Sequence, residues 1–294
     1  MALIRYRTMN TAAAEIFYRE TVPEVVEGRP PILLLHGFPS SSHQYSGLMH
    51  RLGREFHMIA PDYPGFGQSR DVSPPGAFVY SFENISRTIE EFIDKLSLER
   101  FVLYVFDFGA PVGFRIAARR PDLIAGVIIQ NANAYEAGLS DAARRLVSIP
   151  RHDEAGLKEL DGLLTLEGTK FQYFTGVADP ESISPDGYTL DQLYLDLPGR
   201  KAHLIDLLLD YKSNVDAYPV WQEWLWQASL PAQILWGRND PFFVEAGARA
   251  YLTDLPNAEL HLFDTGHFAL EERLDAIAPL VAGFVNRLPK FVTS

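Results

Sequence analysis

No cysteine occurs in the 294-residue chain, which excludes disulfides, thiolate metal sites and cysteine nucleophiles and leaves the redox compartment open. Nowhere do about 18 apolar residues run together, and residues 1–7 carry no long apolar stretch with a small-residue cleavage site. A soluble, cytoplasmic protein is expected. Positive charge is outnumbered: 26 Lys and Arg face 38 Asp and Glu, a net charge of −12. Such a surface repels nucleic acid and anionic membranes, so the expected partner is a small molecule and the expected state a monomer or homodimer. Metal-ligand spacing is also missing, because His43, His50, His57, His152, His203 and His261 form no pattern with carboxylates. Gly65-Phe66-Gly67 is followed by no Lys-Ser/Thr pair, so it reads as a turn and not a phosphate loop. Neither a metal nor a cofactor is expected.

What is present is enough apolar sequence, 47%, to bury a large core. Ile32-Leu33-Leu34-Leu35, Phe101-Val102-Leu103-Tyr104-Val105-Phe106, Ile124-Ala125-Gly126-Val127-Ile128-Ile129 and Ile234-Leu235-Trp236-Gly237 are short apolar runs, the pattern of strands buried on both faces of a parallel sheet. Met58-Ile59-Ala60-Pro61-Asp62 and Glu259-Leu260-His261-Leu262-Phe263 add two strands, and residues 14–19 alternate loosely, like an edge strand with one wet face. Apolar Ile85, Ile89, Phe92, Ile93 and Leu96 fall at helical spacing. Strands alternating with helices predict a mostly parallel, doubly wound α/β sheet. Residues 133–229 break this rhythm with helical patterns and many aromatics. They predict a helical cap inserted into a core domain of residues 1–132 and 230–294, with an ordinary helical layer of the same domain as the alternative. No repeat or low-complexity tract marks a further unit.

In Val105-Phe106-Asp107-Phe108-Gly109 a strand gives way to a helix across a small residue, the layout of a nucleophile elbow with Asp where Ser is usual. Val105 is bulkier than the Gly often found two positions before the nucleophile. A carboxylate among Phe106, Phe108 and Tyr104 needs stabilising, and amides at the start of the following helix supply that. As a lone residue, Asp107 reads equally well as a helix cap. Two further strand ends change the balance. His267 in Gly266-His267-Phe268 follows the last strand and Asp240 in Asn239-Asp240-Pro241 the one before it, in the order nucleophile, acid, base of an α/β-hydrolase triad. Glu136, soon after the strand ending near Gln130, is the alternative acid. Backbone N–H groups of Phe38, in His36-Gly37-Phe38-Pro39, and of Phe108 suit an oxyanion hole. Asn131 and Asn133 either line the pocket or cap the strand.

From His36-Gly37-Phe38-Pro39 through Asp62-Tyr63-Pro64-Gly65-Phe66-Gly67-Gln68-Ser69 to Gly266-His267, nearly the whole chain resembles the aspartate-nucleophile branch of the α/β-hydrolase fold. That branch holds epoxide hydrolases, haloalkane dehalogenases and fluoroacetate dehalogenases. The resemblance implies attack by Asp107 on an sp³ carbon to form an alkyl-enzyme ester. Water activated by His267, with Asp240 holding its tautomer, then hydrolyses the ester. In epoxide hydrolases two cap tyrosines serve the epoxide oxygen. Phe171-Gln172-Tyr173-Phe174 and Asp210-Tyr211-Lys212-Ser213-Asn214 resemble the segments that carry them, which implies Tyr173 and Tyr211.

Haloalkane dehalogenases generally carry Trp after the nucleophile, and many carry Asn after the first Gly. Here Phe108 and Phe38 offer no side-chain donor, leaving Trp221, Trp224 or Trp226 to supply one. Fluoroacetate dehalogenases place two arginines where Phe108 and Pro111 stand. The expected activity is therefore cofactor-independent opening of an apolar epoxide to a diol, with haloalkane hydrolysis as the alternative. An ester or lactone hydrolase and a non-catalytic ligand-binding protein are the further alternatives. His36, Pro39, Phe174, Trp221 and Phe268 complete the expected pocket, which suits an uncharged, mostly apolar substrate.

Overall fold

The structure, a computed structural model, describes residues 2–24, 28–71 and 77–290. Its strands are β1 (Leu3–Asn10), β2 (Ala14–Val22), β3 (Ile32–Leu35), β4 (Met58–Pro61), β5 (Arg70–Asp71), β6 (Phe101–Phe106), β7 (Ile124–Gln130), β8 (Ala232–Gly237) and β9 (Glu259–Phe263). They form one sheet in the order β1-β2-β4-β3-β6-β7-β8-β9, with β5 paired to β2. The β1, β2 and β4 pairings are antiparallel; from β4 through β3 to β9 every pairing is parallel. The helices in chain order are α1 (Ser46–Leu52), α2 (Phe82–Lys95), α3 (Gly109–Arg119), α4 (Asp141–Val147), α5 (Glu154–Leu163), α6 (Leu166–Phe174), α7 (Pro185–Leu195), α8 (Arg200–Asp210), α9 (Lys212–Ala228), α10 (Glu245–Asp254) and α11 (Ala269–Arg287). No helix among the described residues is long and apolar enough to cross a membrane.

The uninterrupted apolar runs become strands because both faces of the sheet are covered. Every residue of β3, β6, β7 and β8 is buried. Side chains alternate sides along a strand, so Leu33 and Leu35 join Phe92, Phe114 and Tyr251 in one core, beneath α2, α3 and α10. Ile32 and Leu34 join Tyr45, Ile277 and Val281 in the other, beneath α1 and α11. Helix α2 begins where the Ser81 hydroxyl accepts the Asn84 N–H at 3.2 Å, and it buries Ile85, Ile89, Phe92 and Ile93. Burying side chains of that size contributes about 1.5–3 kcal/mol each relative to exposure.

One reading at the N-terminus is corrected, and one strand is added. Strand β2 is not an edge, because β1 lies outside it and most of its side chains are buried. Strand β1 escapes sequence recognition because its own side chains stay largely in solvent: Leu3 and Tyr6 are exposed, so no alternation marks the strand. Between β7 and β8 lie the six helices α4–α9, with no strand among them. They stand over the C-terminal ends of the parallel strands, where open α/β sheets bind ligands.

Candidate active site

Asp107 sits between β6 and α3 with φ of +48°, left-handed backbone that a non-glycine residue adopts at a cost of about 1–3 kcal/mol. Two glycines make the turn possible. A Cβ on Gly109 would collide with the Leu35 carbonyl, and one on Gly37 would collide with the Asp107 side chain itself. The elbow is therefore wedged against the end of β3, and the carboxylate is lifted onto the sheet edge, nearly buried.

The two oxygens of Asp107 have different surroundings. Oδ1 accepts the Phe38 N–H at 2.6 Å, and the Phe108 N–H also bonds the carboxylate. Oδ2 lies 3.9 Å from Nε2 of His267. Burial pushes the Asp107 carboxyl up to about 6, while His267 and the two amides oppose the rise. His267 Nδ1 donates to Asp240 Oδ2 at 2.7 Å, which leaves Nε2 facing Asp107. Burial favours the neutral imidazole, but the charge and hydrogen bond of Asp240 outweigh it and hold the His267 pKa above its ordinary value.

Asp240 is itself held on all sides. Its Oδ1 accepts N–H groups of Phe242 and Phe243 at 2.8 and 3.0 Å, and Oδ2 accepts Asn131 Nδ2 at 2.8 Å. Asn131, with φ of +40°, also accepts the Gly237 N–H at 2.9 Å, so one side chain ties the end of β7 to the end of β8. Sequence reasoning left Asn131 as a pocket or capping residue; an Asn at the strand end beside the elbow was the signal. Glu136, the alternative acid, is corrected: its side chain is 72% exposed and pairs with Arg144, away from His267.

A cavity of about 60 Å³ lies over Asp107 and His267. Phe38, Phe108, Phe242 and Phe243 line it below; Ala143, Leu146, Leu160, Leu163 and Leu208 line it from α4, α5 and α8, with Gln172 and Tyr211 as polar members of that roof. The Tyr211 hydroxyl pairs with that of Tyr218, which accepts Asn133 Nδ2 at 3.1 Å. Burial raises the Tyr211 pKa well above its ordinary value, so the phenol keeps its proton.

Tyr173 is not in this cavity. Its hydroxyl donates to Asp191 at 2.6 Å and its ring stacks on Phe268 at 4.2 Å, so the expected first oxygen donor faces the wrong way. The rest of the expected pocket is corrected with it, since none of His36, Pro39, Phe174, Trp221 and Phe268 lines the cavity. His36 is stacked on Tyr63 at 4.0 Å and accepts its N–H at 3.3 Å; burial drives its pKa to about 3, making it a neutral prop for the Gly37 turn. Pro39 follows Phe38 in that turn. Trp221 packs on Phe114 under the Arg115 guanidinium, Phe174 packs on Tyr188, and Phe268 fills the space between Phe106 and Tyr173. Among the described residues no group of His, Asp and Glu is arranged to hold a metal ion.

The sheet order, the elbow and the strand-end triad are those of one family, and the chain belongs to it: residues 30–274 match the alpha/beta hydrolase fold. An uncharacterised hydrolase of Saccharomyces cerevisiae is 39% identical over 269 residues, covering 90% of this chain and 91% of the yeast protein. Haloalkane dehalogenase 2 of Mycobacterium tuberculosis is also 39% identical, over 35% of each chain. Among solved structures, the haloalkane dehalogenase DatA of Agrobacterium tumefaciens superposes with a TM-score of 0.77 at 23% identity, over 97% of both chains. A candidate epoxide hydrolase of Pseudomonas aeruginosa gives 0.77 at 21% identity, over 96% of this chain and 95% of its own. The proteins this chain resembles thus include haloalkane dehalogenases and a candidate epoxide hydrolase.

Proposed function

We propose that this protein opens small, uncharged, mostly apolar epoxides to diols through an ester on Asp107, with residues 133–229 as its cap. The observation that carries the reading is the Tyr211 phenol in the same narrow, apolar cavity as the Asp107 carboxylate. With Oδ1 pinned by amides, Oδ2 is the oxygen left to attack carbon. As the ring C–O bond breaks, its electron pair stays on the substrate oxygen, and Tyr211 is the acid beside it. Asn133 donates to Tyr218, so the Tyr218 hydroxyl can turn its proton toward Tyr211 and free the Tyr211 O–H for that oxygen.

Forming the ester removes the charge of Asp107, one of the groups that hold the proton on His267. The first step thereby prepares the base for the second. Water taken up between His267 Nε2 and the ester loses a proton to the imidazole and attacks the Asp107 carbonyl carbon, whose oxygen the Phe38 and Phe108 amides stabilise as it gains charge. Carboxylate attack on an acyl carbon would give an anhydride, which disfavours an ester or lactone substrate, and a binding protein has no use for a complete triad.

The second reading is haloalkane hydrolysis, favoured by the partial sequence match to a dehalogenase. Against it, no indole N–H lines the cavity, and the Phe38 and Phe108 amides are engaged by Asp107. A His267→Gln variant incubated with a panel of small epoxides and haloalkanes, followed by intact-mass analysis, tests both readings. The expected result is an adduct on the Asp107 peptide with epoxides, and diol release by the unmodified enzyme. Halide release without diol would replace the first reading with the second, and no adduct from any of them would sink both.

A further inference from the structure

We propose that the side-chain amide of Gln172 is the second donor to the departing substrate oxygen, so that an amide and a phenol clasp it together. This rests on the epoxide reading and deepens it. Gln172 is 2% exposed, and its Nε2 is buried with no hydrogen-bond partner. Other buried polar atoms share that condition, but of the residues lining the cavity only Gln172 does. A buried donor left unmatched costs about 1–3 kcal/mol, and buried unsatisfied groups are few in folded proteins. A substrate oxygen entering this apolar space would meet that need.

The backbone fixes where this amide points. Helix α6 is capped at its start by the Thr165 hydroxyl, which accepts the Gly168 N–H at 3.1 Å. Its end is pressed onto the loops that carry the triad. A Cβ on Gly266 would strike the Thr175 carbonyl, and Asn239 Nδ2 donates to the Gly176 carbonyl at 2.9 Å. Tyr173, locked to Asp191 and Phe268, sets the rotation of the helix. Successive side chains lie about 100° apart, and with Tyr173 and Phe174 turned elsewhere it is Gln172 of this turn that lines the cavity.

The two donors differ in kind. An amide N–H stabilises negative charge without surrendering a proton at neutral pH, whereas the Tyr211 phenol can give one. As the Asp107 Oδ2–carbon bond forms and the ring C–O bond breaks, the oxygen keeps the electron pair and takes its proton from Tyr211, while Gln172 keeps both of its own. Ester hydrolysis then delivers one water proton to the released hydroxyl, and the other restores Tyr211 through solvent.

Two measurements test this. In a His267→Gln background with 1,2-epoxybutane, Gln172→Met removes the donor at nearly constant shape. Ester formation is expected to slow roughly 100-fold, while Gln172→His, which keeps an N–H, recovers part of the rate. Melting temperature should not fall, because an unmatched group has been removed. An ester formed at the unaltered rate, or a slow rate accompanied by a large loss of melting temperature, overturns the proposal.

Independently of turnover, glutamine side-chain amide signals in the ¹⁵N-labelled enzyme are followed during titration with tetrahydrofuran, an unreactive ether. The pair that is missing in Gln172→Met should shift, and its failure to move overturns the donor role. If that pair shifts while no epoxide ever alkylates Asp107, the donor role stands and the epoxide reading falls.

Discussion

Below the cavity, Asp240 and Asn131 have their polar atoms committed to partners within the protein. Above it, the helices between β7 and β8 present leucines and, among them, a phenol and an amide whose nitrogen meets nothing. The floor is settled before substrate arrives, and its geometry is held by strand ends. The roof leaves one donor without a partner. On the proposed reading positioned charge belongs to the floor and recognition of the leaving atom to the roof, and substitutions should divide the two.

The largest effect is expected at the floor. Asp107→Asn should abolish ester formation, lowering turnover by about 10⁴-fold or more, and the same change should stabilise the fold. The folded pKa of Asp107, about 6, lies above its ordinary 3.8, so its contribution to stability is present below about pH 4 and lost as pH rises through 6. At pH 7.5 the buried charge costs about 3 kcal/mol on that shift. Thermal melts should show Asp107→Asn more stable at pH 7.5, with the advantage shrinking toward pH 4. A variant less stable at pH 7.5 would show that the amides overcompensate the burial.

Next comes Asp240→Asn, expected to slow ester hydrolysis about 10³- to 10⁴-fold by favouring the wrong imidazole tautomer, while ester formation changes little. Mass spectra during turnover should then show the ester accumulating. The two steps should also separate by pH. Ester formation rises as Asp107 ionises near pH 6. Ester hydrolysis needs neutral His267, whose pKa in the free enzyme is raised by Asp240 and, secondarily, by Asp107. Because the ester has lost the Asp107 charge, the limb for its decay should lie below the His267 titration measured by NMR in the free enzyme. A decay limb at or above that titration would remove Asp107 from the control of His267.

The roof gives intermediate effects. Tyr211→Phe should slow ester formation from an epoxide roughly 100-fold and leave decay of the preformed ester nearly unchanged. Rapid-quench sampling of both phases reads the difference. Equal slowing of both phases would mean that Tyr211 shapes the floor instead of serving the leaving oxygen.

The same division explains what the sequence could and could not disclose. Strands β3, β6, β7 and β8 were legible because both of their faces are covered, which writes them as unbroken apolar runs. Asp107 and Asp240 were legible because each follows such a run, and His267 because it follows the half-buried strand β9, so their meeting is a consequence of parallel pairing. Strand β1 was invisible because its side chains answer to solvent and only its backbone answers to β2. In the roof the residue that lines the cavity is one position away from the tyrosine the sequence points to. Aromatic character marks Tyr173 as a tyrosine, but which way it points depends on Asp191 and Phe268, far off in sequence. Gln172 carries no such mark, and only the cavity around it shows its unmatched amide.

Tyr173→Phe should therefore have the smallest catalytic effect of these substitutions, and it sharpens the contrast most directly. Removing the hydroxyl leaves the ring stacked on Phe268, so α6 and the direction of Gln172 are retained. Asp191 loses one donor but keeps His43, whose Nε2 lies 2.5 Å from its other oxygen. Stability should fall by about 1–2 kcal/mol, read as an earlier denaturation midpoint, while ester formation stays within roughly threefold of the unaltered enzyme. The opposite pattern, unchanged stability with a loss of rate as large as that of Tyr211→Phe, would return Tyr173 to the leaving oxygen and require the helix to turn when substrate binds.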